Sequence, residues 1–201
     1  GRLVHGLEAE SAERDGAPSL RSWKRLLANT RQDAAIQIGS VSVCPAELVT
    51  GFLSALRHEL FTQSNIASLL REPLEVVVSV PANAHSTQRF VTLDAFRRSG
   101  FKVRAVINEP SAAGIEYAHR HANTLSSRRE HVIVYDLGGG TFDAALVRIA
   151  DGHHDVALTA SISALGGDDF DHALLALALE RSGKASPALP ALLAECRNVK
   201  E

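Results

Sequence analysis

Two carboxylates and a glycine triplet lie within eight residues of this chain. Asp136 sits near the end of an apolar run, residues 131–137, and Gly138, Gly139, Gly140 and Thr141 follow at once. A second β-rich run, residues 142–149, carries Asp143 near its start. Two strands joined by a tight glycine turn make a hairpin. Glycines accept φ > 0 and let backbone N–H groups approach a ligand closely, and such amides suit phosphate oxygens. Asp136 would hold magnesium through water, because this ion keeps several waters and takes few protein carboxylates. The hairpin therefore reads as a place for a metal-bound nucleotide phosphate; the plain alternative is an ordinary turn. No G-x-x-x-x-G-K-[ST] string occurs, and the triplet does not fit G-x-G-x-x-G, so neither the P-loop nor the dinucleotide fingerprint applies.

The elements around the hairpin set its context. Residues 1–19 are polar, with Asp15-Gly16 as a turn signal. Residues 20–27 read as a short helix and residues 34–43 as one or two short strands. Pro45 suits the first turn of a helix, and Leu48, Phe52, Ala55, Leu56 and Leu60 recur at helical spacing. Residues 64–72 read as a loop or short helix and 74–80 as a buried strand. A helix over 86–98 stops at Gly100, a C-cap signal, and a strand over 101–107 follows. Pro110 opens a helix over 111–121, and Arg128, Arg129 and Glu130 bridge into the hairpin. Residues 154–163 read as a strand. Gly166, Gly167, Asp168 and Asp169 start a helix over 170–181, its acids suited to the positive helix end. The Ala/Leu-rich end contains Pro187 and Pro190. A β-α-β-α run followed by a hairpin predicts an α/β class with a mixed sheet.

The 201 residues allow one large or two small domains. A hydrophobic share of 45% with 22% charged residues fits a soluble globular chain. A net charge of −2 argues against a nonspecific grip on nucleic acid or anionic membrane. No apolar run reaches the roughly 20 residues that a bilayer requires. Cys44 and Cys196, far apart, suit a reduced cytoplasmic protein better than a disulfide framework. The chain contains no methionine and begins at Gly1, as expected of an excised or processed piece. His119 and His121 point in different directions on a helix. His153 and His154 fall in a polar turn with no third ligand at zinc-like spacing.

Three further segments join the hairpin: Val76-Val-Val-Ser-Val-Pro-Ala82 with Gln88 and Arg89, Ile107-Asn-Glu-Pro-Ser-Ala-Ala-Gly114, and Leu165-Gly-Gly-Asp-Asp-Phe-Asp171. In order and spacing they resemble the nucleotide-binding domain of DnaK-type chaperones, the seventy-kilodalton heat-shock family, over residues 20–179. The resemblance implies an actin-like, ribonuclease-H-like ATPase fold with two lobes about a nucleotide cleft. It implies ATP or ADP with magnesium as ligands. Asp136 then matches the aspartate that positions magnesium through water. Gly138, Gly139, Gly140 and Thr141 match a phosphate loop, with Gly166 and Gly167 beside it. Glu109 matches a glutamate near the metal and the attacking water, and Asp143 an acid close to the catalytic centre. Lys24, in a shorter Lys-Arg-Leu match, falls at a catalytic lysine. Pro81 and Arg89 match residues that carry the nucleotide signal to a substrate-binding domain. Each has a plainer reading: Glu109 as a complement to a helix N-terminus, Lys24 as a solvated lysine, Arg89 as a surface residue. Asp169 and Asp171 read as helix-start acids.

The family's Asp-Leu-Gly-Thr-Thr loop, its adenosine-binding helix, its last phosphate loop and its substrate-binding domain are not found in this sequence. The expectation is a partial fold, with residues 1–125 forming part of lobe one and 126–201 the start of lobe two, and negligible turnover by the chain alone. Asn83-Ala84-His85-Ser86-Thr87 replaces the family's usual aromatic and acidic residues, which leaves signalling open, and Asp168 replaces a more usual glutamate. Unfolded clients and co-chaperones are the implied partners. The alternative is a non-catalytic, degenerate actin-like module used for interaction or assembly; sugar kinases rank behind both. Strand edges without neighbours predict dimers, segment swapping, or an edge covered by residues 34–43.

Overall fold

The computed structural model describes residues 2–29, 31, 34–121, 130–150, 153–182 and 189–200. Helix α1 spans Gly6–Arg14 and α2 Lys24–Asn29. Strands β1 (Ile36–Ile38) and β2 (Val41–Val43) form a small antiparallel hairpin of their own. Helix α3, Pro45–Thr62, starts on Pro45, and the Glu47 carboxylate accepts the Cys44 N–H. A 3₁₀ turn at Ala67–Leu69 leads to β3, Glu75–Val80. Helix α4 (Ser86–Arg98) stops at Gly100, whose φ of +85° disfavours any residue with a Cβ. Strand β4, Lys102–Asn108, pairs in parallel with β3. Helix α5, Glu109–Arg120, follows without a break. Strands β5 (His131–Leu137), β6 (Phe142–Ala150) and β7 (His153–Ile162) form an antiparallel meander. Helices α6, Gly167–Ser182, and α7, Leu189–Lys200, close the chain.

Two cores hold these elements. Apolar positions one helical turn apart on α3 bury Val49 and Leu53 against Ala95 of α4 and Phe101, with Trp23, Phe52, Val76 and Phe96 around them. In the second core Ala145, Val147 and Ile149 of β6 pack with Val132, Val134 and Val156, and with Ala118 of α5. Burying one such valine contributes about 1.5–3 kcal/mol. Helix α5 touches both the β3–β4 pair and the meander. Gly114 makes its close approach possible: a Cβ there would lie 3.2 Å from Val147 Cγ1.

The α/β class is observed, but not the mixed sheet. Among the described residues the parallel pair and the antiparallel meander are separate sheets, because α5 lies between them instead of a shared ladder. Residues 34–43 do not cover an edge of β3 or β4; their three-residue strands pair only with each other. The strand expected to be buried is half open, with Val77 59% exposed, since alternate residues of β3 turn to opposite faces and one of these is uncovered. The outer face of the meander is also open: Ile133, Tyr135, Leu137, Leu158 and Ile162 are all exposed. Helix α1 was not foreseen in the polar start, nor α7 in the Ala/Leu-rich end, and α2 begins four residues later than expected. The lobe boundary at 125/126, Arg128, Arg129 and Pro187 lie outside the described residues. Among the described residues no helix is long and apolar enough to cross a membrane.

Candidate functional site

The period of a strand builds the first part of the site. On the β5–β6–β7 face turned toward α5, the rows Val132–Val147–Val156 and Val134–Ala145–Thr159 are followed by Asp136–Asp143–Ser161. Ser161 Oγ donates to Asp143 Oδ1 at 2.5 Å. Glu109 enters from the first turn of α5, and its carboxylate accepts Lys24 Nζ at 2.5 Å. Glu109, Asp136, Asp143 and Ser161 line one cleft of about 190 Å³. A second cleft of about 200 Å³ is lined by Lys24, Arg25, Pro81, Thr141, Asp143 and Ser161, so Asp143 and Ser161 form the wall between them. A larger open depression of about 810 Å³, lined by His5, Trp23, Ile38 and Phe52, lies under α1 and includes none of these carboxylates.

The glycine loop joins β5 to β6. The Gly138 N–H donates to Thr141 O at 2.9 Å. Its other carbonyls are all engaged: Gly138 O accepts the Gly167 N–H at 3.0 Å, Gly139 O the Asp168 N–H at 2.8 Å, and Gly140 O the Arg25 Nε at 2.5 Å. No acceptor among the described residues takes the N–H of Gly139, Gly140 or Thr141. Nothing stands within 4 Å of where a Cβ of Gly139 would be. The expected reason for these glycines needs correction, because none of the three has positive φ. Contact replaces it as the cause. A Cβ on Gly140 would meet Ser22 Oγ at 2.6 Å, and one on Gly166 would meet the backbone of Gly139 and Gly140 at 2.6 Å. Gly166 and Gly167 thus support the loop from behind.

Arg89 is no surface residue. Its guanidinium donates to the carbonyls of Pro81, Ala82 and Ala84 and to Asn108 Oδ1 at 3.1 Å, tying the turn after β3 to the residue before Glu109. Asp169 and Asp171 do more than open a helix. Asp169 pairs with Arg25, whose hydrogen bond holds that carboxyl below its usual pKa. Asp171, 1% exposed, pairs with Lys200 Nζ at 2.7 Å and Arg197 Nε at 3.2 Å. Sequence reasoning missed Arg25, Ser22 and Ser161. The period-two pattern of β7 could have found Ser161, and nothing local marked the other two.

The site offers unclaimed amides beside a row of carboxylates, which suits a phosphate accompanied by a hydrated cation. Among the described residues no three His, Cys, Asp or Glu side chains converge to cage a metal by themselves. That donor set fits magnesium, which is held by one or two carboxylates, water and phosphate oxygens.

A sequence model of the family described as "Hsp70 protein" matches residues 24–187. This chain belongs to the Hsp70 family. Chaperone protein HscA of Salmonella newport (strain SL254) is 36% identical over 200 residues, covering 92% of this chain and 32% of that protein. The same figures hold for the HscA proteins of Salmonella heidelberg (strain SL476) and Salmonella agona (strain SL483). The chain thus spans about a third of the length of the curated relatives it matches, 32%. Hsp70 membership implies the actin-like ATPase fold, and the hairpin, the Glu109 helix start and the Gly166–Gly167 turn all fall inside the matched residues.

Proposed function

We propose that this chain is the middle section of the nucleotide-binding domain of a DnaK-like chaperone, with residues 1–125 from lobe one and 126–201 from the start of lobe two. Its hairpin takes the phosphates of ATP or ADP. The observation that carries this reading is the glycine loop, whose Gly139, Gly140 and Thr141 amides have no acceptor among the described residues, with Thr141 lining the second cleft that shares Asp143 with the Asp136–Asp143–Glu109 cleft. Those amides bind and orient a phosphate group. Asp136 and Asp143 would hold magnesium through water; when bound, the ion neutralises phosphate charge. Glu109 orients a water for attack, and Lys24 holds the Glu109 carboxylate in place. Phosphoryl transfer asks a protein for position and electrostatics more than for covalent chemistry.

Arg89 ties the Pro81 turn to Asn108, which supports a role for Pro81 and Arg89 in carrying the state of the cleft outward. The whole protein would act on unfolded clients with co-chaperones in the cytoplasm. The open outer face of the meander supports self-association of the isolated chain, read as a concentration-dependent mass in light scattering; a strictly monomeric species at high concentration refutes it.

The test of the nucleotide reading is a titration of the 201-residue chain with magnesium–ADP, followed through backbone amide resonances. Saturable shifts at Gly139, Gly140 and Thr141 are expected. Their absence at millimolar nucleotide overturns the reading.

A further inference from the structure

The four carbonyls of the glycine loop are all engaged, but not in the same way. Those of Gly138, Gly139 and Thr141 accept backbone amides. Gly140 O takes a side chain from a distant part of the chain, Arg25 Nε. The same guanidinium extends its Nη1 to Asp169 Oδ1 at 3.2 Å and its Nη2 to Asp169 Oδ2. Arg25 therefore spans from the loop to the first turn of α6, the helix whose amides fix the other two glycine carbonyls. Beside it, Ser22 Oγ donates to Asp168. Ser22 is, among the described residues, the one non-glycine with positive φ, at +47°. A residue with a Cβ holds that conformation only where its surroundings impose it, and such residues gather at functional sites. The strap of Ser22 and Arg25 is pressed against the loop: a Cβ on Gly140 would lie 2.6 Å from Ser22 Oγ and 3.1 Å from Arg25 Nε.

We infer that Arg25 is the positioning residue of the phosphate loop, its bridge from Gly140 O to Asp169 fixing the loop so that the Gly139, Gly140 and Thr141 amides are left to a nucleotide phosphate. The inference rests on the nucleotide reading above. A lysine cannot replace it, because a single ammonium lacks the planar fork that reaches a carbonyl and a carboxylate together. Arg25 also lines the second cleft beside Lys24 and Thr141, so its charge lies on the side where the phosphate would sit.

The magnesium–ADP titration of the 201-residue chain is repeated on Arg25→Ala, Arg25→Lys, Asp169→Asn and the double variant Arg25→Ala/Asp169→Asn. Arg25→Ala should raise Kd by roughly tenfold, the scale of one charge-assisted hydrogen bond. It should also displace the three loop resonances before nucleotide is added. Arg25→Lys should recover little of the loss, and the double variant should bind no worse than the weaker single. Asp169→Asn reports on the same brace should Arg25→Ala fail to fold. Melting temperature is followed in parallel, since a merely structural role would lower it without moving Kd. Wild type that shows no saturable shift overturns the nucleotide reading and this inference with it. Wild type that binds, with equal Kd in Arg25→Ala and Asp169→Asn, overturns the inference alone. Tighter binding by Arg25→Ala overturns it as well, and marks the strap as an obstruction.

Discussion

Asp136 and Asp143 stand directly opposite one another across the β5–β6 hairpin, in a row with Ser161 on the face that carries the rows of valine, alanine and threonine. Like charges in that relation destabilise a sheet by about 0.2–1 kcal/mol. A hairpin selected for stability alone would not keep them, and violations of local rules concentrate where a ligand compensates. Asp143→Asn should therefore raise the unfolding free energy of the apo chain by about 0.2–1 kcal/mol, since an amide still accepts from Ser161. The same change should lower the magnesium dependence of nucleotide binding. Denaturant melts and titrations with and without magnesium read both; a less stable variant with unaltered magnesium dependence refutes the idea.

The loop glycines should differ sharply in tolerance. Gly139→Ala places its methyl in open space at a φ outside the left-handed region, so the fold should survive with less than about 0.5 kcal/mol lost, as at an ordinary surface position. Nucleotide affinity should still fall, because the methyl stands where a phosphate would approach. Gly166→Ala must displace the backbone of Gly139 and Gly140, and should cost about 1–3 kcal/mol as an overpacked contact does. Thermal melts of the two variants should separate clearly.

Glu109 has two partners, the positive end of α5 and Lys24. Replacing it with glutamine should lower stability by about 0.3–1 kcal/mol through the helix end. A double-mutant cycle with Lys24→Met should return a coupling of no more than about 1 kcal/mol, since Lys24 is half exposed and water screens the pair. A substantially larger value would mean that the pair is far drier than its exposure implies. If Glu109 orients water, Glu109→Gln in the complete parent protein should also reduce turnover far more than nucleotide affinity; normal turnover there would leave it a helix-end residue.

His5 sets a pH window for α1. Burial against Phe52 and Gly51 lowers its pKa, with Glu8 opposing more weakly. The folded state thus prefers neutral imidazole. Its stabilisation is complete above the unfolded value of about 6.5 and is lost as pH falls through the lower folded value. Acidification from neutrality should loosen the packing of His5 on α3 and with it the start of α1, seen as faster amide exchange in residues 6–14. His5→Phe should keep the ring contact and remove that part of the pH dependence. An unchanged acid profile in His5→Phe would show that other groups cause it.

Much of this arrangement was legible in the sequence. Pro45, Pro110 and Gly100 marked helix ends that the fold keeps, and the apolar alternation of residues 131–149 placed Asp136 and Asp143 on paired strands. What stayed hidden is long-range. Nothing near Arg25 announces Gly140, which lies 115 positions away. The conformation of Ser22 is imposed by its contacts with the loop and α6, and no local propensity encodes it. The positive φ expected of the glycine triplet failed for a related reason. A rule about single residues was applied where crowding by Ser22 and Gly166 sets the requirement.

Helix α5 is also a lever. Its 12 residues make a rod about 18 Å long at 1.5 Å per residue. Glu109 is at one end, and Ala118, near the other, is seated in the β5–β7 core. A tilt of only about 5° around that seat, about 13.5 Å away, would carry Glu109 about 1.2 Å from the Asp136–Asp143 row, a displacement of the size that costs a reaction about two orders of magnitude. Small angular changes at a distant contact could thus throttle the cleft without a single residue in it being altered.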